Sequence, residues 1–163
     1  MLENYNPGEI LKIAVEVEKN GKDLYALLEL KSQDPQARQI WAYLKQQEEA
    51  HQKIFQEMLS RQKDYLIVEF SPGEHGSYLR AIASEYVFTQ DLIKKHMREE
   101  FSSDIEAVNF GISIEKISIL TYSALRDYIK KDKLSVLDKI IDEEKSHLAK
   151  LKGLKRTIEY TGI

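Results

Sequence analysis

Four stretches of the chain repeat apolar or small residues in alternating steps of three and four, the spacing that keeps side chains on one helix face. The first reads Leu11, Ala14, Glu18, Gly21, Tyr25, Leu28, and the second Trp41, Leu44, Glu48, His51, Phe55, Met58. The third reads Val108, Gly111, Glu115, Ser118, Tyr122, Leu125, Ile129, and the fourth Leu137, Ile140, Glu144, His147, Leu151, Leu154, Ile158. They predict helices over about 7–30, 35–62, 104–129 and 134–158. Three of these have start signals: Asn6-Pro7-Gly8-Glu9, Asp34-Pro35 and the capping box Ser103-Asp104-Ile105-Glu106. In each, a short polar side chain can accept from the free N–H groups of the first turn, and in the first two Pro sits where a missing N–H loses nothing. A break near Lys131-Asp132-Lys133 precedes the fourth.

From Lys63 to Ser102 the pattern changes. Tyr65-Leu66-Ile67-Val68 reads as extended or irregular, and Ser71-Pro72-Gly73 interrupts whatever precedes it. Leu79, Ile82, Ala83, Tyr86 and Val87 then recur at helical spacing, which predicts one or two short helices packed across the bundle or against a second subunit. The expected fold is all-α: an antiparallel four-helix bundle in a single domain, 1–163, with a long crossover between its second and third helices.

All four stripes carry polar residues at their centre, and the two halves of the chain repeat one another. Glu18 and Glu115 are 97 residues apart, as are Tyr25 and Tyr122, while Glu48 and Glu144, like His51 and His147, are 96 apart. The one-residue difference falls between helices. Pseudo-twofold pairing would therefore bring Glu18, Glu48, His51, Glu115, Glu144 and His147 to one level. Glu48-x-x-His51 and Glu144-x-x-His147 each put a carboxylate and an imidazole on one face, about 5 to 6 Å apart at Cβ.

Composition narrows the chemistry. Among 163 residues, 42% are hydrophobic and 31% charged, enough to fill and cover one core. Three Pro and seven Gly favour long helices over turn-rich β structure. The net charge of −3 is spread over both signs, so nothing marks a nucleic-acid or anionic-lipid surface. With neither a signal-like N-terminus nor a membrane-length apolar run, the expectation is a cytoplasmic protein with no membrane partner. The absence of cysteine excludes thiolate ligands, so any metal must be held by oxygen and nitrogen.

Four carboxylates converging in a core repel one another, and desolvation drives them toward protonation. Two divalent cations match the charge of four Glu anions, and two neutral imidazoles complete the set. Oxygen ligands with one nitrogen per metal suit iron or manganese, and zinc could occupy the same place.

The same pattern, one Glu from each of two helices and Glu-x-x-His from each of two others, is that of di-iron bundles. The stretches Ala14-Val15-Glu16-Val17-Glu18-Lys19 to Tyr25, Gly111-Ile112-Ser113-Ile114-Glu115-Lys116 to Tyr122, and Asp142-Glu143-Glu144-Lys145-Ser146-His147 resemble the rubrerythrin branch of the ferritin-like superfamily. The resemblance implies a non-haem centre of two iron ions held by Glu18, Glu48, His51, Glu115, Glu144 and His147, with Glu48 and Glu144 bridging and Glu18 and Glu115 terminal. It further implies an oxidoreductase that reduces hydrogen peroxide or dioxygen with electrons from an external donor, rubredoxin-like or other. Two departures bear on this. Typical members carry a further Glu three residues after the third-helix ligand, which enters the coordination shell on redox change; this chain has Ser118 there. A four-cysteine rubredoxin domain is missing from a sequence that ends at Ile163. The alternatives are an iron-binding or storage protein without catalysis, and a bundle holding zinc structurally.

Other residues are read more plainly. Glu16, Glu49 and Glu143 lie off the seam and are expected to be exposed or to support a ligand. Tyr25 and Tyr122 are either core aromatics or donors that orient a ligand carboxylate. Gly21 and Ser118 either leave room for a small oxidant or permit close helix approach. Trp41 is expected to be packing, and His75 and His96 are not expected to bind metal. The apolar face from Leu79 to Val87 suggests a homodimer, although it could equally cover the bundle's own flank.

Overall fold

A computed structural model describes residues 7–67, 77, 78, 81, 82, 84, 91, 94, 95, 101 and 103–161. Four long helices form the bundle: α1 (Pro7–Lys31), α2 (Pro35–Ser60), α4 (Asp104–Leu125) and α5 (Leu134–Thr161), with a single short turn, α3 (Gln62–Tyr65), after α2. Asp34 caps α2 by accepting from the Ala37 N–H at 2.8 Å, with Pro35 in the first turn. Ser103 caps α4 by accepting from the Glu106 N–H at 3.2 Å. Asn6 lies outside the described residues. Short connections fold α1 onto α2 and α4 onto α5, and the two pairs meet through α1 against α4 and α2 against α5. This is a four-helix bundle made of two helix pairs.

Two helix ends differ from the sequence expectation, for one reason. α2 stops at Ser60, short of residue 62, and α4 stops at Leu125, short of Ile129. Past those points Leu66 and Ile129 form an antiparallel bridge, with Ile67 N–H donating to Tyr128 O at 2.9 Å and Lys130 N–H to Tyr65 O at 2.8 Å. The chain after α2 is thereby tied to the turn between α4 and α5, and the 3-10 turns Arg126–Tyr128 and Lys131–Lys133 take the place of α-helix. Tyr65 ends a helical turn, while Leu66 and Ile67 follow outside helix. Val68, Ser71, Pro72, Gly73, His75, Leu79, Ala83, Tyr86, Val87 and His96 lie outside the described residues. The described positions from 77 to 95 are helical, and Ile82 among them is buried.

The stripes of α1, α2 and α5 are buried along their length. In α4 burial extends beyond the stripe to Ala107, Ile112, Ile114, Ile117, Thr121 and Ala124, so this helix is apolar on most sides. The core falls into two clusters. One holds Leu11, Ala14, Phe55, Met58, Tyr122, Leu125, Leu137 and Ile140; the other holds Leu24, Tyr25, Trp41, Leu44, Val108, Leu151 and Leu154. Burying a large aliphatic or aromatic side chain contributes about 1.5–3 kcal/mol, so each cluster anchors its end of the bundle. Between the clusters lies a polar layer. Among the described residues, no helix is long and apolar enough to cross a membrane.

Candidate metal centre

That layer consists of Glu18 from α1, Glu48 and His51 from α2, Glu115 from α4, and Glu144 and His147 from α5. All six are buried, His51 at 1% exposure and the others at 0%. The helices place them there because each is a seam position with hydrophobic turns above and below. Glu48 reaches inward past Gly21, where even a Cβ would stand 2.6 Å from Glu48 Oε2. A glycine at that point of α1 is what lets the carboxylate occupy the axis.

The inward-facing atoms fall into two overlapping groups, each within 4.8 Å of one another. One comprises Glu18, Glu48, His51 and Glu144; the other Glu48, Glu115, Glu144 and His147. Glu48 and Glu144 are common to both. His51 Nδ1 lies 2.7 Å from Glu144 Oε1 and 3.6 Å from Glu18 Oε1. His147 Nδ1 lies 3.6 Å from Glu48 Oε1 and Glu115 Oε2, and 3.7 Å from Glu144 Oε1. The imidazole rings stack at 5.7 Å, inclined by 21°.

Electrostatically the layer is incomplete without cations. Among the described residues, both oxygens of Glu48, Glu144 Oε2, Glu18 Oε2, Glu115 Oε2 and His147 Nδ1 are buried with no hydrogen-bond partner, while His51 Nδ1 and Glu144 Oε1 face one another at 2.7 Å. Such atoms cost free energy unless something pairs with them. Burial, and then the neighbouring carboxylates, push the Glu48 and Glu144 carboxyls well above the usual range. Burial works against a charged His51, yet the facing Glu144 and Glu18 carboxylates outweigh it and push its pKa up to about 11. Two divalent ions, one per group, would supply the missing partners for the convergent atoms. The donor set therefore fits a metal pair.

Two tyrosines brace the layer crosswise. Tyr25 of α1 donates its hydroxyl to Glu115 Oε1 of α4 at 2.5 Å, and Tyr122 of α4 donates to Glu18 Oε1 of α1. Seven residues of helix rise about 10.5 Å, too far for either phenol to serve the Glu on its own helix, so each serves the opposite one. Burial, followed by the surrounding carboxylates, raises both phenol pKa values, which keeps the protons on the phenol oxygens. Of the off-seam acids, Glu16 and Glu49 are exposed. Glu143 is partly buried and reaches from α5 across to α2, its Oε2 lying 2.7 Å from His51 Nε2. Its contact with a particular histidine had no signal in the sequence beyond its place one turn before His147.

Comparison with known proteins agrees with this geometry. The rubrerythrin family profile matches residues 9–155. A crystal structure from Thermotoga maritima described as that of a ferritin-like diiron-carboxylate protein superposes with a TM-score of 0.67 at 26% identity, covering 93% of this chain and 95% of that one. No curated protein matches the chain.

Proposed function

The chain belongs to the rubrerythrin family, and from that premise we propose that it is a non-haem di-iron oxidoreductase reducing hydrogen peroxide or dioxygen with electrons from an external donor. The observation that carries the reading is the pair of four-residue groups sharing Glu48 and Glu144. A lone buried Glu/His cluster would serve one structural ion. Two groups with common carboxylates hold two ions close enough to act together on one small molecule.

In this reading Glu48 and Glu144 would help hold both ions, Glu18 and His51 would complete one position, and Glu115 and His147 would complete the other. Two-electron reduction of a peroxide bond is the chemistry that a pair of ferrous ions supplies when bound in such a site. Tyr122 and Tyr25 hold Glu18 and Glu115 in fixed orientation through their hydroxyl hydrogen bonds. The apolar clusters at either end exclude bulk water, so the carboxylates face the ions at low dielectric, where their charge acts most strongly.

Anaerobic loading with ferrous iron followed by hydrogen peroxide tests the reading. The expected results are two irons per chain, appearance of the near-ultraviolet absorption of oxidised ferric carboxylate centres, and peroxide consumption that repeats when reductant is supplied. Two tightly held zinc ions with no response to peroxide after iron loading would overturn it in favour of a structural bundle. Iron uptake into large closed assemblies without turnover would favour storage.

A further inference from the structure

We propose that Tyr25 and Trp41 form a path along which a one-electron oxidising equivalent leaves the metal centre for the cavity at the end of the bundle. The inference rests on the di-iron reading above and adds an exit for oxidation that the electron donor fails to quench.

The path is continuous. Tyr25 donates to Glu115, and its ring stacks on the Trp41 indole with centroids 5.7 Å apart and planes inclined by 16°. The Trp41 Nε1–H donates to Ser32 Oγ at 2.9 Å. Trp41 and Ser32 both line a cavity of about 600 Å³, together with Leu28, Phe101, Val108 and Ile158, where α1 turns into α2 and α4 begins. Phenol and indole are the aromatic side chains that give up an electron most readily, and this is the single Trp of a chain without cysteine.

Among the described residues, the opposite half of the centre lacks the path. Tyr122 supports Glu18 just as Tyr25 supports Glu115, but its neighbouring ring is Phe55, at 4.6 Å and tilted by 43°. A benzene ring is far harder to oxidise than an indole. The position matching Trp41, displaced by the same 96 residues that relate the two histidines, is Leu137. Support of the carboxylates needs both tyrosines; it does not need an indole on one side only.

Peroxide takes two electrons: a centre left with a single ferrous ion when the donor runs out would supply one, and Tyr25 would supply the other, its phenolic proton passing to Glu115 along the existing hydrogen bond. Trp41 gives one electron to the oxidised phenol, and the proton returns from Glu115 to the phenol oxygen. The indole is then one electron short and releases its Nε1 proton toward Ser32 and solvent. A small one-electron reductant of the thiol or ascorbate class, entering the cavity, restores electron and proton. Without such a reductant the neutral indole radical adds dioxygen from aerated buffer, irreversibly.

The test treats the iron-loaded protein with excess hydrogen peroxide and no reductant, measures peroxide consumed, and maps oxygen adducts by peptide mass spectrometry. Trp41 is expected to carry adducts although it is only 2% exposed. Per peroxide consumed, these adducts are expected to be lost in Tyr25→Phe and in the presence of ascorbate, and retained in Tyr122→Phe. The zinc-loaded wild type is expected to show none, a control that needs no variant to fold. A Trp41 left unmodified while peroxide is consumed, or modified equally in Tyr25→Phe or in the zinc-loaded protein, overturns the path and leaves the di-iron reading standing. Failure of the iron-loaded wild type to consume peroxide overturns that reading, and the path with it.

Discussion

On their inner side the two halves of the metal centre are near copies; on their outer side they are not. Each half presents a terminal Glu braced by a Tyr from the opposite helix, a shared Glu, and a His with Nδ1 turned inward. Behind His51 stands Glu143, 2.7 Å from Nε2, with Lys139 Nζ 3.9 Å from the same carboxylate. Among the described residues no such group stands behind His147: its Nε2 is buried without a hydrogen-bond partner there, and the Tyr43 ring stands edge-on at 6.0 Å. The residue matching Glu143 is Gln47. Cation binding demands the inner symmetry, because charge must balance in both positions. The outer surroundings are under no such demand and differ among the described residues, so the two four-residue groups are inequivalent.

The largest expected effect separates shared from unshared ligands. Glu48→Ala or Glu144→Ala removes an oxygen donor from both groups and should abolish binding of two metals per chain, whereas Glu18→Ala or Glu115→Ala strips one group and should leave one metal bound. Metal analysis after anaerobic loading and desalting reads the difference. Equal losses in all four variants would break the division into two positions sharing a bridge.

Next comes pH, which acts on the shared carboxylates. Glu48 and Glu144 both have pKa values raised from 4.5, by burial first and by neighbouring carboxylates next. A carboxyl raised on folding adds stability below its unfolded pKa and loses it as pH climbs through the folded value. His51, raised from 6.5 to about 11, has the same sign: its contribution is complete below 6.5 and fades as pH passes through 11. The melting temperature of metal-free protein should therefore fall as pH rises above about 4.5. Metal-loaded protein should run the other way over the same range, because ligands must shed protons to bind. A metal-free protein that grows more stable between pH 5 and 7 would contradict the crowding of acids in the core.

The outer difference itself can be sharpened. A carboxylate behind a ligating imidazole fixes its orientation and raises its basicity, and losing such a partner costs about 10–100-fold in metal affinity. Glu143→Gln should weaken the tighter of two binding steps by about that factor and bring the two steps together. Gln47→Glu should strengthen the weaker step. Titration against a competing chelator resolves the two, and unchanged affinities in both variants would make the contrast inert.

Much of this was legible in the sequence because the seam of a bundle is a one-dimensional pattern. The six inward residues sit at stripe positions, and the repeat of 96 to 97 residues places them at one level without knowledge of any contact. What escaped depends on contacts between distant parts of the chain. The end of α4 at Leu125 is set by the pairing of Ile129 with Leu66, which local helix preference does not register. The reach of Glu143 to His51 spans two helices; from its own helix it reads as an off-seam acid, exposed or supporting a ligand, with nothing to say which histidine it meets. Trp41 reads as packing, which it is, but its stacking on Tyr25 and its bond to Ser32 depend on how α1 and α2 rotate against each other. The apolar residues of α4 off its stripe, such as Ile114 and Ile117, were visible in the sequence and mark burial on several faces.

The smallest expected effects come from a matched pair beside the metals. Gly21 and Ser118 are 97 residues apart, the same displacement that relates Glu18 to Glu115. In α1 the position is filled by a Glu48 oxygen, which would stand 2.6 Å from an added Cβ. Gly21→Ala gains helix propensity but forces that carboxylate aside, and overpacking of this kind costs about 1–3 kcal/mol. Because Glu48 belongs to both groups, both metal affinities should drop with it. In α4 the hydroxyl of Ser118 is occupied within its own helix, donating to Ile114 O at 3.0 Å. Ser118→Ala removes donor and hydroxyl together, leaves the carbonyl its helical partner, and improves propensity, so stability should stay within about 1 kcal/mol of the parent. Chemical denaturation of the metal-free variants measures the stability terms and chelator competition the metal terms. If Ser118→Ala weakened metal binding as much as Gly21→Ala, Ser118 would be acting on the centre itself, and the two halves would be more alike than their contacts indicate.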